Sequence, residues 1–234
     1  MIMFKLLIMF TFIWSNYCHS DEAGKSGLDV TEHETLLLNP NVEEENILSL
    51  SQDTLTLEKR AELLKEIFEK HTKAASSERK RLLEEAFFEV FPSDFETLVA
   101  LYGRDEEKGQ GDFLYSDAVD HIMGLYNNIN SIDDSVYSHK LIKIAMGGDW
   151  DADAVSYFQH GLAIKVKENP VLFIELLKSY PKKEQKSFWH FFFDGPHPQE
   201  DVPVELELIK VIDSESFNII QEALNDVQEE WKEH

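Results

Sequence analysis

Apolar side chains recur every three or four positions through most of the chain after residue 54, and this spacing is typical of the buried face of an α-helix. Residues 56–71 and 78–91 form the first two predicted helices, which a short polar turn joins as an αα-hairpin. Residues 215–232 form the last predicted helix. Its apolar stripe consists of Phe217, Ile220, Leu224, Val227 and Trp231.

Prolines, glycines and capping side chains divide the chain between these ends. Pro92 ends the second helix, and Ser93 followed by Glu96 predicts a capping box for the next one. Residues 114–126 form a further predicted helix with Val119 on its inward face. The expected starts of the later helices are Ser131, Asp149 or Asp151, Asn169 and Pro181.

Residues 204–212 are a stretch in which apolar and acidic side chains alternate at first, as they do in a β-strand. No second convincing strand is available to pair with this stretch, and an isolated strand leaves its backbone groups unsatisfied. A helix is therefore the preferred interpretation of residues 204–212.

Five of the six side chains at residues 188–193 are aromatic, so neighbouring helices have to pack around them. Together with the helical stripes, this cluster predicts an all-α fold: one irregular multi-helix domain of about nine or ten helices over residues 54–234. A short stack of helical hairpins of the HEAT or TPR kind is the alternative, although no repeat of fixed period supports it.

The first 53 residues differ in composition from the rest of the chain. Residues 1–20 combine a basic start at Lys5, an apolar run and small residues just before Asp21, which predicts a secretory signal peptide. The alternative is a lipid anchor on Cys18, the only cysteine. Residues 21–53 are acidic with a single base, Lys25, and we expect a largely disordered tail. The protein is therefore expected to be exported, to a periplasm or outside the cell.

The charge balance narrows the classes of partner. The chain has 22 basic and 45 acidic residues and a net charge of −23. Such a charge repels nucleic acids and anionic lipid surfaces, and no apolar stretch after residue 20 is long enough to span a membrane. A basic protein partner is expected instead, with plain solubility as the other explanation of the acidic surface.

His190, Asp194 and His197 are the first candidate for chemistry. His190 and Asp194 are four residues apart and share a helix face, and His197 follows in a loop stiffened by prolines. Two imidazoles and a carboxylate are a plausible ligand set for zinc or iron. The alternative places His190 among the neighbouring phenylalanines and assigns Asp194 to the end of the helix.

Asp149, Asp151 and Asp153 form a second acidic group that resembles the opening of a calcium loop. Ala154 and His160 stand where such a loop needs a glycine and a bidentate acid, so the pattern fails at both positions. Capping of the following helix by Asp149 or Asp151 explains the same residues.

The sequence gives no positive case for catalysis. Cysteine is absent after residue 18, and no nucleophile motif or phosphate-binding glycine loop is present. We therefore predict no catalytic residues and no cofactor, and a non-enzymatic role is favoured.

Trp150, Trp189 and Trp231 are candidates for a recognition surface, and Trp150 lies between two aspartates. The favoured alternative for Trp150 is that its indole folds back over the turn at Gly147 and Gly148. The expected function is that of an inhibitor, immunity-type or adaptor protein that binds a basic protein. The expected binding residues are Asp149, Trp150, Asp151, Asp194 and His197, beside the charged loop at 105–112. A metal-binding protein or metal-dependent hydrolase that uses His190, Asp194 and His197 is one alternative. A carrier with an apolar pocket at residues 188–193 is another.

Overall fold

A computed structural model describes residues 55–105, 110–197 and 199–233. The predicted signal peptide at 1–20 and acidic tail at 21–53 lie outside the described residues. The fold is all-α, as the sequence predicts. In the described ranges the α-helices are α1 (Leu57–Lys73), α2 (Ser77–Val90), α3 (Phe95–Tyr102), α4 (Ala118–Asn128), α5 (Asp134–Ala145), α6 (Ala154–Glu168), α7 (Pro170–Leu177), α8 (Lys182–Phe193), α9 (Val204–Glu207), α10 (Ile209–Ile212) and α11 (Ser214–Glu233).

The first two helices form the predicted hairpin, with each start capped by a hydroxyl. Thr56 Oγ1 accepts a hydrogen bond from the Lys59 amide at the start of α1, and Ser76 Oγ accepts one at the start of α2. The carbonyl end of α2 meets two cations from other helices. The Arg60 guanidinium donates to Val90 O at 2.8 Å, and Lys140 of α5 donates to Phe88 O. These cations complement the negative end of the helix dipole.

Two helices begin later in the chain than predicted, and an aspartate caps each of them. Asp94 Oδ1 accepts a hydrogen bond from the Thr97 amide at 2.8 Å, so Asp94 caps α3 in place of Ser93. Asp133 Oδ1 accepts from the amides of α5, so the predicted start at Ser131 is also wrong. In each case the carboxylate stands directly before the first helical residue, where the free amides point.

The described ends of the expected charged loop pair with each other as short strands. Arg104–Asp105 pairs with Gln110–Gly111 as a two-residue antiparallel ladder, and a 3₁₀ turn at Tyr115–Asp117 leads into α4. The inward face of α4 is also rotated from the prediction, because Val119 is 47% exposed. The buried side chains of α4 include Ala118, Ile122, Leu125 and Tyr126.

The aromatic cluster of α8 lies in the core, as predicted. Trp189 is 1% exposed and packs edge-on against Phe188 and Phe192, with ring centroids 5.0 and 5.4 Å apart. The whole cluster belongs to one continuous hydrophobic core that includes residues of every long helix. The rings therefore fill the core and do not line an apolar pocket, which removes the premise of the carrier hypothesis.

Helices α8 and α11 lie side by side and run in the same direction. Their ion pairs show this, because Lys182 contacts Glu215 and Lys186 contacts Asp226 further along both helices. The short segments α9 and α10 return the chain to the start of α11. Helix lengths range from four residues to twenty, so the described helices are irregular in length. Among the described residues, no helix is both long enough and apolar enough to cross a membrane.

Candidate protein-interaction site

Two loops that carry predicted binding residues are joined by hydrogen bonds. The backbone amide of Trp150, between α5 and α6, donates to Asp194 Oδ2 at 2.7 Å, just after α8. The Gln159 side chain of α6 donates to Phe191 O at 2.5 Å and to Asp194 O. Asp194 therefore fixes the loop of residues 146–153 against the end of α8, and Gln159 holds that end in place.

Glycines allow the first loop to lie close to α8. A Cβ on Gly148 would lie 2.7 Å from the Phe95 ring and 2.9 Å from the Phe191 ring, so only glycine fits there. Gly147 has a φ of 72°, in the left-handed region that glycine adopts without strain, and its amide donates to Ser187 Oγ at 2.9 Å. This close approach leaves the next residues, from Asp149 to Asp153, on the surface.

The three aspartates of this loop are all exposed. Neither Asp149 nor Asp151 caps α6, so the capping interpretation is wrong. Asp153 precedes α6 without a side-chain cap bond, and its side chain accepts a hydrogen bond from the Tyr115 hydroxyl at 2.7 Å. That bond and the carboxylate charge raise the pKa of Tyr115.

Asp153 is also strained. Its φ of 61° is the only positive value at a non-glycine residue in the described part of the chain, and its ψ is −119°. Backbone strain of this kind costs on the order of 1–3 kcal/mol and tends to occur at functional sites. The strain is therefore a second observation, besides charge, that singles out this loop.

Trp150 is half-buried and stands at the junction of the two loops. Its Cδ1 lies 3.9 Å from the position that a Cβ on Gly195 would take, whereas nothing lies within 4 Å of the same position on Gly147. The indole therefore packs beside Gly195 and does not fold back over Gly147. Of the other tryptophans proposed for recognition, Trp189 is buried in the core and Trp231 is 42% exposed on α11.

The predicted metal ligands point to other partners. His190 Nε2 lies 2.9 Å from Glu230 Oε2 of α11, Asp194 accepts from the Trp150 amide, and His197 is exposed. Within the described ranges, no three His, Cys, Asp or Glu side chains are grouped so that they could hold a metal ion. The structure thus gives the metal hypothesis no ligand set, and that hypothesis stays a prediction.

Four basic side chains near this surface form ion pairs with acidic side chains of α11 or with Asp213, which caps its N-terminus. Lys182, Lys186 and His190 recur every four residues along α8, a spacing that places them on one face, and Lys178 directly follows α7. The four-residue spacing along α8 is visible in the sequence, whereas the acids that pair with it lie at least 33 residues further on and have no local signal. The pairs are Lys178–Asp213, Lys182–Glu215, Lys186–Asp226 and His190–Glu230.

Among the acids of these ion pairs, Asp213 is held by contacts with two different residues. Its carboxylate accepts from the Lys178 ammonium at 2.9 Å and from the Ser216 amide at 3.1 Å, at the start of α11. The bond with Lys178 and then the bonds with Ser216 lower the pKa of Asp213 to about 2. These ion pairs therefore neutralise cations of α8, while Asp149 and Asp151 form no ion pair within the described part of the chain.

A shallow groove of about 310 Å³ runs beside the two loops. Its lining combines the turn at Gly147 to Asp149 with exposed residues of α8, so it adjoins Asp149. The lining residues are Gly147, Gly148, Asp149, Lys183, Lys186, Ser187, His190 and Asp226.

Asp149, Trp150, Asp151, Asp153 and Asp194 are called the acidic loop face below. Of the predicted binding residues, the structure joins Trp150 to Asp194 directly and exposes Asp149 and Asp151 beside them. Asp153 and its Tyr115 contact were not predicted as part of the site, because a contact over 38 residues has no local signal. No family model, curated protein or solved structure shows significant similarity to the chain, so its function has to be inferred from its own residues.

Proposed function

We propose that the chain is an exported, acidic helical protein that binds a basic protein partner, as an inhibitor, immunity-type or adaptor protein does. The observation that carries this proposal is the acidic loop face. There, exposed carboxylates surround a half-buried tryptophan whose backbone is held by Asp194. This arrangement combines an aromatic anchor with a charged rim, the usual composition of a protein-binding surface.

Electrostatics supports a basic partner. The net charge of −23 attracts cations over a long range, and the unpaired carboxylates of Asp149 and Asp151 supply a local focus for that attraction. Lys182 and Lys186 of α8 are held by acids of α11, and Lys183 is the cation of α8 that remains beside Asp149 in the groove. The two carboxylates of Asp149 and Asp151 outweigh this one charge, so the loop keeps a net negative charge.

Preorganisation supports binding as well. Holding the Trp150 amide on Asp194, and Asp153 on Tyr115, fixes both ends of the acidic segment before a partner arrives. A surface that is already ordered loses less conformational entropy on association. The strain at Asp153 is consistent with a loop shape that is kept for recognition.

Export rests on the sequence of residues 1–20. A basic start, an apolar run and small residues before Asp21 support cleavage there. Mass spectrometry of the N-terminus of the protein recovered from its native compartment tests this. An N-terminus at Asp21 supports export by cleavage, an acylated Cys18 supports the lipid anchor, and an intact Met1 contradicts both.

Affinity capture tests the binding role. The full chain is used as bait at low and high ionic strength, with a variant that combines Asp149→Asn, Trp150→Ala and Asp151→Asn. We expect the wild-type chain to retain a basic protein at low ionic strength, and the variant to lose it, because both the charge and the anchor are removed.

The matched control removes two exposed acids elsewhere, Glu58→Gln and Glu96→Gln, on α1 and α3. This control should retain the same partner as the wild-type chain. If the control loses as much of the captured partner as the loop variant does, net charge alone attracts the partner. If the loop variant retains as much partner as the wild-type chain, the acidic loop face is not the binding surface.

A further inference from the structure

A second surface, on α9 and α10, exposes large apolar side chains. Val204 is 78% exposed and Val211 is 87% exposed, the two highest values among the large apolar side chains described, and Leu208 and Ile212 are 43% and 57% exposed. Four such side chains within nine residues form a contiguous apolar patch, and patches of this kind usually mark an interaction site.

The patch is a stripe on one side of a helix. Leu208, between the two segments, has a φ of −59° and a ψ of −29°, so the helical path continues from α9 into α10. At about 100° per residue, the stripe from Val204 to Ile212 covers an arc of about 100°. Leu206 and Ile209 lie on the opposite side, and both are completely buried.

The buried side explains why the stripe remains outside. Leu206 and Ile209 anchor the segment in the core, and α10 packs against α11, with Lys210 Nζ above the Phe217 ring at 5.5 Å. The segment is thus held in place with one apolar face inward and a second apolar face outward. The inward face is sufficient for folding, so the outward face needs another explanation.

Carboxylates border the stripe on both edges. In the same helical projection, Glu205 lies at one edge and Glu207 at the other, and both are exposed. The only base within α9 and α10, Lys210, is turned towards Phe217 on α11. The surface therefore consists of an apolar stripe between two negative edges. We call Val204, Glu205, Glu207, Leu208, Val211 and Ile212 the α9–α10 face.

We propose that the α9–α10 face docks an amphipathic helix of the partner, with an apolar ridge that lies along the stripe and with Lys or Arg on both sides of that ridge. The inference rests on the proposed function, because it takes the partner to be basic, and it specifies the shape of the partner's contact. Helix-on-helix docking of this type uses apolar anchors at positions i, i+3 or i+4, and i+7, and the flanking charges set specificity.

Charge also decides against the other occupants. A second copy of this chain would place Glu205 and Glu207 against an equally acidic face, and each copy carries a net charge of −23. The chain's own residues 21–53 contain nine acids and one base, so they are repelled by the same edges. An anionic membrane is repelled for the same reason. A basic helix alone satisfies both the stripe and its edges.

The probe for this inference is a synthetic helical peptide with a leucine stripe flanked on both sides by lysines. A matched peptide carries glutamates in place of the lysines. Fluorescence anisotropy measures the binding of each labelled peptide to the full chain. We expect the lysine peptide to bind at least about tenfold more tightly than the glutamate peptide, because the edges of the face are acidic.

Two variants locate the binding. Val204→Ser with Val211→Ser removes the most exposed part of the stripe without a change in charge, and it should weaken the lysine peptide at least about tenfold. The matched control, Val119→Ser with Val136→Ser, changes two exposed valines on α4 and α5 and should leave binding within about twofold of the wild-type value. Circular dichroism shows that each variant is folded.

If the stripe variant and the control bind the lysine peptide equally tightly, the inference is wrong, because the net charge of the chain then determines the binding. A dimer in light scattering that the stripe variant dissociates also overturns it, because a second copy then occupies the face. A different result would contradict the proposed function: the full chain would then capture no basic protein. If only the present inference is wrong, the full chain still captures a basic partner, and the stripe variant binds that partner as well as the wild-type chain does.

Discussion

His121 carries a pH prediction that follows directly from its burial. It is 2% exposed on α4, its Nδ1 lies 3.1 Å from the Tyr102 hydroxyl, and its ring packs against Phe68 and Phe87. Burial lowers the pKa of His121 to about 4, although the charges of Asp117 and Asp120 act in the opposite direction. The imidazole is therefore neutral at neutral pH.

The sign of the effect on stability follows from where the proton binds. An unfolded histidine has a pKa of about 6.5, so below that pH the unfolded chain takes up a proton that the folded chain does not. The free energy of unfolding therefore falls as the pH drops from about 6.5 to about 4. The difference between the two pKa values amounts to about 2–3 kcal/mol at a pH near 4.5.

Urea unfolding of the wild-type chain and of His121→Gln, at neutral pH and near pH 4.5, measures this contribution. Glutamine keeps a polar partner for Tyr102 and does not titrate. We expect the wild-type chain to lose about 2–3 kcal/mol more than the variant over this interval. Tyr102→Phe is the control and should retain the pH dependence, because the imidazole stays buried. Identical pH dependence in the wild-type chain and His121→Gln refutes the reasoning.

Three further predictions concern single contacts. Gly161→Ala should destabilise the fold by about 1–3 kcal/mol in thermal unfolding, although alanine favours helices, because its Cβ would lie 2.2 Å from the Tyr126 ring; a raised Tm contradicts this. Asp194→Ala should cost about 1–3 kcal/mol in urea unfolding by leaving the Trp150 amide unpaired, and Asp194→Asn should cost less. Asp213→Ala should cost about 1–3 kcal/mol at neutral pH, and the difference from wild type should shrink as the pH falls from about 3.8 to about 2. A cost that is independent of pH contradicts the role of its carboxylate.

The long helices could be predicted because their apolar periodicity is local. The stripe in α1 and the aromatic cluster of α8 each determine a buried face without knowledge of their neighbours. The capping residue of a helix is harder to predict. Ser93 and Asp94 are both good N-cap residues, and only the path of the chain decides between them. Val119 was misplaced for a related reason. The packing of neighbouring elements decides which side of α4 is buried, and the local period of the helix does not show it.

Contacts between distant elements could not be predicted from the sequence. The parallel packing of α8 on α11 and the bond from Trp150 to Asp194 depend on the order in which helices fold back on each other. The same holds for the outward stripe of α9 and α10. Residues 204–212 are helical, as expected, but which of their apolar faces the core covers depends on α6 and α11.

The central claim is that exposed carboxylates of this chain recruit a basic protein. Its most direct test is the dissociation constant of the captured partner across a range of salt concentrations, for the wild-type chain and for Asp149→Asn with Asp151→Asn. We predict that wild-type binding weakens steadily as salt rises, and that the variant binds more weakly at low salt with a shallower dependence. An affinity that is insensitive to salt, or the same salt dependence in both proteins, would contradict the account.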